Sequence, residues 1–228
     1  MSTMSLAVKE GIHVLTLTNH DQENTFTQAV LQEYLAAFDA VENYQGNTAL
    51  LITCEHDKTF STGINLEWLI AESQQAQKVF VTTLEKVLCR LALLSAPTVV
   101  CMNGNTYAGG ALLAAAADFR VMRADRGRFC FPEVNIKIPF AATMVDILNL
   151  LPNKQAIKVM ALTGKAYTGL ECEALDLVDT IYPAAVLQAN AFELAKSLGQ
   201  KDRATYTTIR NSLRHDVARH RDALGIKA

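Results

Sequence analysis

Short runs of β-branched and apolar residues recur along this chain, at positions 13–18, 48–54, 98–102, 119–122, 129–131 and 177–182, and helical periodicity fills several of the intervals. Runs of that length suit strands, and strands alternating with amphipathic helices give an α/β fold. Between positions 28 and 42 the apolar residues Ala29, Val30, Leu31, Leu35, Phe38 and Val41 form one helical stripe, with Thr27 placed to cap it. A longer helical stretch is expected over 66–94. Pro97 then breaks the pattern and leads into TVVCM, while Gly104, Gly109 and Gly110 punctuate the route into ALLAAAAD. Further helices are expected at 142–150, 154–162, 170–174, 184–198 and 204–218.

The chain has 228 residues, enough to bury a large core, and its 50% apolar and 19% charged content is that of a folded protein. No Pro/Gly/Ser-rich linker divides it, so 1–198 reads as the core and 199–228 as a short helical extension of the same domain. A formal net charge of −2 supplies no global field for a polyanion, which argues against nucleic acid as a partner. The five cysteines, Cys54, Cys89, Cys101, Cys130 and Cys172, contain no CxxC pair and read as buried thiols of a reducing compartment. MSTMSLAVKE lacks the apolar stretch of a secretion signal, no run is long enough to cross a bilayer, and the ending IKA is not the peroxisomal one. A cytoplasmic protein without a membrane partner is expected. His13, His20, His56, His215 and His220 show no metal-ligand or triad spacing, so neither a metal site nor a histidine base is expected.

Three segments carry possible chemistry. In Lys58-Thr59-Phe60-Ser61-Thr62-Gly63-Ile64-Asn65-Leu66 a glycine lies between an apolar strand and a helix; in Asn103-Gly104-Asn105-Thr106-Tyr107-Ala108-Gly109-Gly110 paired glycines open an Ala/Leu helix. Corners of this kind leave backbone N–H groups pointing at whatever sits there, which suits an oxyanion. Neither is a GxGxxG or Walker A loop. The third segment runs from Arg128 to Phe140 and sets one carboxylate, Glu133, among aromatic and aliphatic residues, where desolvation would make it a better base near neutral pH. Considered alone, each corner reads first as an ordinary turn, and Glu133 as a strand-end residue facing water.

Taken together, in order and spacing, the segments resemble the crotonase superfamily, the enoyl-CoA hydratase/isomerase group. The likeness begins at Val14-Leu15-Thr16-Leu17 and the Asn24-Thr25-Phe26-Thr27 turn. It continues through FSTGINL, APTVVCMNGNTYAGGALLAAAADFRV and FCFPEVNI to ALTGKAYTGLECEALDLVDTIYP, spanning positions 14–183. The resemblance implies a spiral of repeated β-β-α units with a helical C-terminal region, assembled as a homotrimer or dimer of trimers. It implies an acyl-CoA thioester substrate, the chemistry of fatty-acid metabolism, and an enolate held by the backbone N–H groups of Ile64 and Gly109. Gly63, Gly110, Lys58, Phe60 and Leu112 fall at substrate-binding positions. No cofactor is implied beyond the CoA that forms part of the substrate.

Hydratases of the family use two glutamates, and the resemblance places the first at Leu112, which has no proton to exchange. Only Glu133 remains. A single carboxylate suits a proton shuttle, and the pattern is similar to Δ3,Δ2-enoyl-CoA isomerases. Other enolate chemistry, a weak hydratase, a decarboxylase or a catalytically silent acyl-CoA-binding scaffold are the alternatives. Glu23 stands where the family often has a basic residue, so Lys58 or the basic C-terminal helix is expected to meet the CoA phosphates. That helix reads either as a solvated amphipathic element or as a contact surface. Asp118 is expected to anchor the end of the Ala-rich helix, Asp146 to face solvent or another subunit, and Phe129, Phe131 and Phe140 to pack in the core, with lining of an acyl tunnel as the alternative for some of them.

Overall fold

The computed structural model of the chain describes residues 2–226. Strands β1 (Met4–Lys9) and β2 (Ile12–Leu17) precede helix α1 (Gln28–Asn43), which starts where Thr27 Oγ1 accepts a hydrogen bond from Val30 N. β3 (Leu50–Cys54) and β4 (Thr59–Ser61) lead into α2 (Leu66–Ala71) and α3 (Gln74–Ala92). β5 (Thr98–Met102), β6 (Asn105–Tyr107) and α4 (Gly109–Ala116) follow. Next come β7 (Phe119–Arg123), β8 (Arg128–Cys130) and α5 (Glu133–Ile136). The remainder is α6 (Ala142–Leu148), α7 (Lys154–Thr163), β9 (Tyr167–Thr168), α8 (Gly169–Ala174), β10 (Thr180–Tyr182), α9 (Ala184–Leu198), α10 (Arg203–Leu213) and α11 (His215–Ala218).

Three successive strand pairs, β3/β4, β5/β6 and β7/β8, each send one strand to each of two sheets and then enter a helix. The larger sheet runs β1-β2-β3-β5-β7-β10, parallel apart from the β1/β2 hairpin; the smaller runs β4-β6-β8-β9, with only β9 antiparallel. This is the expected spiral of β-β-α units. Parallel strands covered on both faces need no polar alternation, and β3 and β5 are accordingly buried throughout. Helix α4, Gly-Gly-Ala-Leu-Leu-Ala-Ala-Ala, is buried along its whole length, as a helix apolar on every side must be.

Two expected helices are divided. The stretch 66–94 breaks at Glu72 and Ser73, where Ser73 Oγ accepts from Ala76 N and starts α3. The stretch 204–218 breaks at Arg214. Asp118 anchors the end of α4 as expected: it accepts from Thr98 N and lies 3.5 Å from Arg210 and 3.0 Å from Arg214.

The C-terminal helix α10 is amphipathic and solvated along one face, as one of its two readings has it, but three basic side chains of this region do not stand free in water. Arg203, Arg210 and Arg214 turn inward onto backbone carbonyls at the ends of three helices. Arg203 donates to Val41, Glu42 and Tyr44 beside the end of α1, and to Ser95. Arg210 donates to Leu94 and Ala96 beyond α3, and Arg214 to Ala92, Ala116 and Ala117 at the ends of α3 and α4. The last carbonyls of a helix have no partner within it and carry the negative end of its dipole, so a guanidinium both satisfies and neutralises them. Asp146 also departs from expectation. It is 8% exposed and its Oδ2 accepts from Arg219 Nη2 at 2.8 Å and His220 Nε2 at 2.6 Å.

Candidate active site

The two glycine corners, 46 residues apart in the chain at Gly63 and Gly109, meet in space. Gly63 has φ +82°, and a Cβ there would collide with the backbone N and Cα of Gly109. Gly110 sits so close to β4 that an added Cβ would lie 2.5 Å from the Ser61 carbonyl oxygen. Bulk at either position would push the corners apart. The Asn24 turn braces the first corner: Asn24 Nδ2 donates to the Phe60 carbonyl, Ser61 Oγ donates to the Asn24 carbonyl, and Gly63 N donates to Ser61 Oγ.

Neither of the N–H groups assigned by the resemblance is used in the local pairing of its corner among the described residues. Phe26 and Ile64 form a parallel bridge in which Phe26 N donates to Gly63 O at 2.7 Å and Asn65 N donates to Phe26 O at 3.0 Å. That pairing leaves the Ile64 N–H directed away from the bridge. Gly109 is the first residue of α4, where the helix offers no acceptor. Ala108, immediately before it, has φ 49° and ψ −123°, a conformation that strains a residue with a Cβ by about 1–3 kcal/mol. Ala108 N donates to Cys130 O and its carbonyl accepts from Leu112 N, and these bonds hold the unfavourable geometry in place.

Ile64 and Gly109 line one cavity of about 240 Å³ together with Leu112 and Glu133. The wall is otherwise mainly apolar, drawn from Leu66, Val81 and Leu84, from Ile136, Ile138 and Pro139, and from Met144. Val81 and Ile136 are 38% and 39% exposed and mark the mouth, whereas Leu84, Leu112 and Met144 are buried.

Glu133 does not end a strand facing water. It opens α5, is 6% exposed, and Oε2 is buried without a hydrogen-bond partner among the described residues. Burial raises its carboxyl to about 7, against the opposing pull of its own backbone N–H. A carboxylate costs free energy in such a place unless paired, so the proton is held more tightly and the ionised form is a stronger base. Leu112, one turn along α4 from Gly109, presents hydrocarbon to the same space.

The remaining expected positions lie off the cavity wall. Gly63 and Gly110 act through the packing just described. Phe60 is fully buried in the main core, and Lys58 is exposed just before β4. Arg203, Arg210 and Arg214 are occupied by helix ends, which removes them as candidates for phosphate contacts. Phe129, Phe131 and Phe140 join the core and do not line the cavity. Sequence reasoning did not single out Met144, Leu84 or the strained Ala108. The first two look like any buried residue on an amphipathic helix, and alanine carries no signal for positive φ.

The family model described as enoyl-CoA hydratase/isomerase matches residues 7–227. Enoyl-CoA delta isomerase 3 of Arabidopsis thaliana is 30% identical over 227 residues, covering 94% of this chain and 93% of the relative. The peroxisomal enoyl-CoA delta isomerase 2 of the same plant is 27% identical over 225 residues, covering 92% and 91%. Among solved structures, an apo enoyl-CoA isomerase of Mycobacterium tuberculosis superposes with a TM-score of 0.88 at 22% identity, covering 97% of this chain and 95% of the other. An enoyl-CoA hydratase from Bacillus anthracis gives 0.86 at 18% identity, covering 98% and 89%. The chain therefore belongs to the enoyl-CoA hydratase/isomerase family and has the crotonase fold.

Proposed function

Starting from that membership, we propose that this protein is a Δ3,Δ2-enoyl-CoA isomerase that moves a C=C bond from C3 to C2 of an acyl-CoA thioester, with Glu133 as its one acid/base. The observation that carries the reading is a partnerless buried carboxylate, raised to about 7, on the wall of the cavity that holds Ile64 and Gly109. The thioester oxygen lies against the Ile64 and Gly109 N–H groups. Ionised Glu133 removes a proton from C2, and the electron pair of that C–H bond moves into an enolate whose negative oxygen the two N–H groups stabilise. The protonated carboxyl then delivers the proton to C4 while the C3=C4 bond shifts to C2=C3 and the carbonyl re-forms. Atoms and electrons balance within the substrate, so the reaction consumes no redox partner.

Hydration differs in needing a water molecule positioned and split. Leu112 contributes no group for that purpose, which favours the shuttle over addition. The names of the two plant relatives point the same way.

The test offers purified protein a 3-enoyl-CoA and, separately, a 2-enoyl-CoA, and follows the absorbance of the conjugated thioester. Absorbance gained with the first and stable with the second is expected. Loss with the second would make the protein a hydratase, and no change with either would end the isomerase reading.

A further inference from the structure

Helix α6 forms part of the cavity wall through Met144, yet little local structure fixes its position. Its N-cap residue, Ala141, offers no side-chain cap, and the helix is only 7 residues long. It packs inward against α3 and α4, the helices that bring Leu84 and Leu112 to the same wall, and outward against α11. On α6, two positions after Met144, Asp146 is 8% exposed and accepts from both Arg219 and His220, which follow α11. The backbone of α11 is tied to α3 in turn, through the Cys89 thiol and the Val217 carbonyl, and Val217 is fully buried. One carboxylate thus clamps a cavity-wall helix to the segment behind it, while none of Asp146, Arg219 and His220 lines the cavity.

We propose that Asp146 is a positioning residue that, through its clasp on Arg219 and His220, sets where Met144 stands in the cavity wall and thereby tunes the preference for acyl-chain length. The inference rests on the isomerase reading for the identity of the substrate. In that reading C2 lies at Glu133 and the thioester oxygen at Ile64 and Gly109, so the carbons beyond C4 run into the apolar wall. The buried apolar side chains of that wall are Leu84, Ala108, Leu112 and Met144. Met144 is the flexible one, and its reach depends on where α6 sits. Contact with one additional methylene in an apolar pocket is worth roughly 10- to 200-fold in discrimination, so a small displacement of α6 is enough to alter chain-length preference.

The experiment compares kcat/KM for 3-hexenoyl-, 3-octenoyl-, 3-decenoyl- and 3-dodecenoyl-CoA in the wild type, Met144→Ala and Asp146→Asn. Met144→Ala is expected to raise the dodecenoyl-to-hexenoyl ratio by roughly 10-fold or more. Asp146→Asn is expected to move that ratio by about 3- to 10-fold through KM of the longer chains, leaving kcat on 3-hexenoyl-CoA within about 2-fold. Should Asp146→Asn not fold, the Arg219→Ala/His220→Ala double variant makes the same test from the other side of the clasp. An unchanged ratio in Asp146→Asn, or a uniform loss at every length, would make the clasp purely structural and overturn the proposal. Thermal protection by saturated C6 to C12 acyl-CoAs separates the two readings. If the wild type isomerises nothing but Asp146→Asn still shifts the protection profile with length, the isomerase reading fails and the clasp stands. If that profile is also unmoved, or no acyl-CoA protects, the clasp falls as well.

Discussion

Glu133 and Asp118 are both carboxylates withdrawn from water, and their surroundings are opposite. The Asp118 side chain is 5% exposed between Arg210 and Arg214, with a backbone N–H from Thr98 as well. Glu133 is 6% exposed beside hydrocarbon, with Oε2 unpartnered among the described residues and its proton held to about 7. Burial alone therefore does not make a base. Where countercharges close around a carboxylate, as at Asp118, it ties helix ends together; where they are withheld, as at Glu133, the carboxyl holds its proton more tightly. The two ends of α4 show the division: N–H groups and an unpartnered acid beside its start, a paired acid and carbonyl-bound arginines at its finish.

Glu133→Gln breaks the comparison on the reactive side and should have the largest effect. A positioned acid/base contributes roughly 10²- to 10⁴-fold, so kcat should fall at least that far while the circular dichroism spectrum stays unchanged. The same substitution should raise stability in a pH-dependent way. Below pH 4.5 Glu133 is protonated in both the folded and the unfolded chain; between 4.5 and about 7 the unfolded chain releases the proton and the folded one keeps it. Wild-type stability therefore falls as pH rises through that window, by about 3 kcal/mol in all at about 1.4 kcal/mol per pH unit. Urea titrations at pH 5 and pH 8 should show Glu133→Gln gaining on the wild type at the higher pH. Equal curves at both would mean that the carboxyl is not desolvated.

Asp118→Asn probes the opposite side. It leaves Arg210 and Arg214 without their anion and should lower the unfolding free energy by about 3–5 kcal/mol, with turnover per folded molecule within about 2-fold of wild type. Lost turnover with intact stability would erase the distinction between the two carboxylates. The smallest effect is expected at Ile64→Ala. The donor there is the backbone, so kcat should change by less than about 3-fold, against the roughly 10²- to 10³-fold that loss of an oxyanion donor costs. A larger fall in steady-state kcat would mean that the side chain, rather than the N–H, holds the substrate.

How far the sequence foretold this structure depends on whether the information was local. The strand at Thr98–Met102 and the helix at Ala184–Leu198 agree residue for residue with expectation, because an apolar run after Pro97 and a helical stripe after Pro183 are each set by their own residues. β4 was legible only as an apolar strand before Gly63, without bounds, and β6 was not foreseen, since three residues between turns carry no periodicity. The two corners and Glu133 were legible as spacing. Their convergence was legible only through resemblance, because no local rule says that Gly63 will press against Gly109. The inward arginines were unreadable for another reason: an amphipathic pattern records which face of a helix is polar, and does not record whether carbonyls or water wait there. The depth of the pocket was hidden in the same way, as Met144 differs from other core methionines only by its neighbours across three helices.

The arginine clasp places unequal demands on the two sides of each bond. Its donors require one side-chain type at 203, 210 and 214, whereas, apart from the side chains of Asp118, Ser95 and Asn211, its acceptors are carbonyls that any residue provides. Positions such as Val41, Ala92 and Ala116 are thus free, as far as this contact goes, to drift with the packing around them, and descendants of this chain can repack the ends of three helices without having to reinvent what holds them.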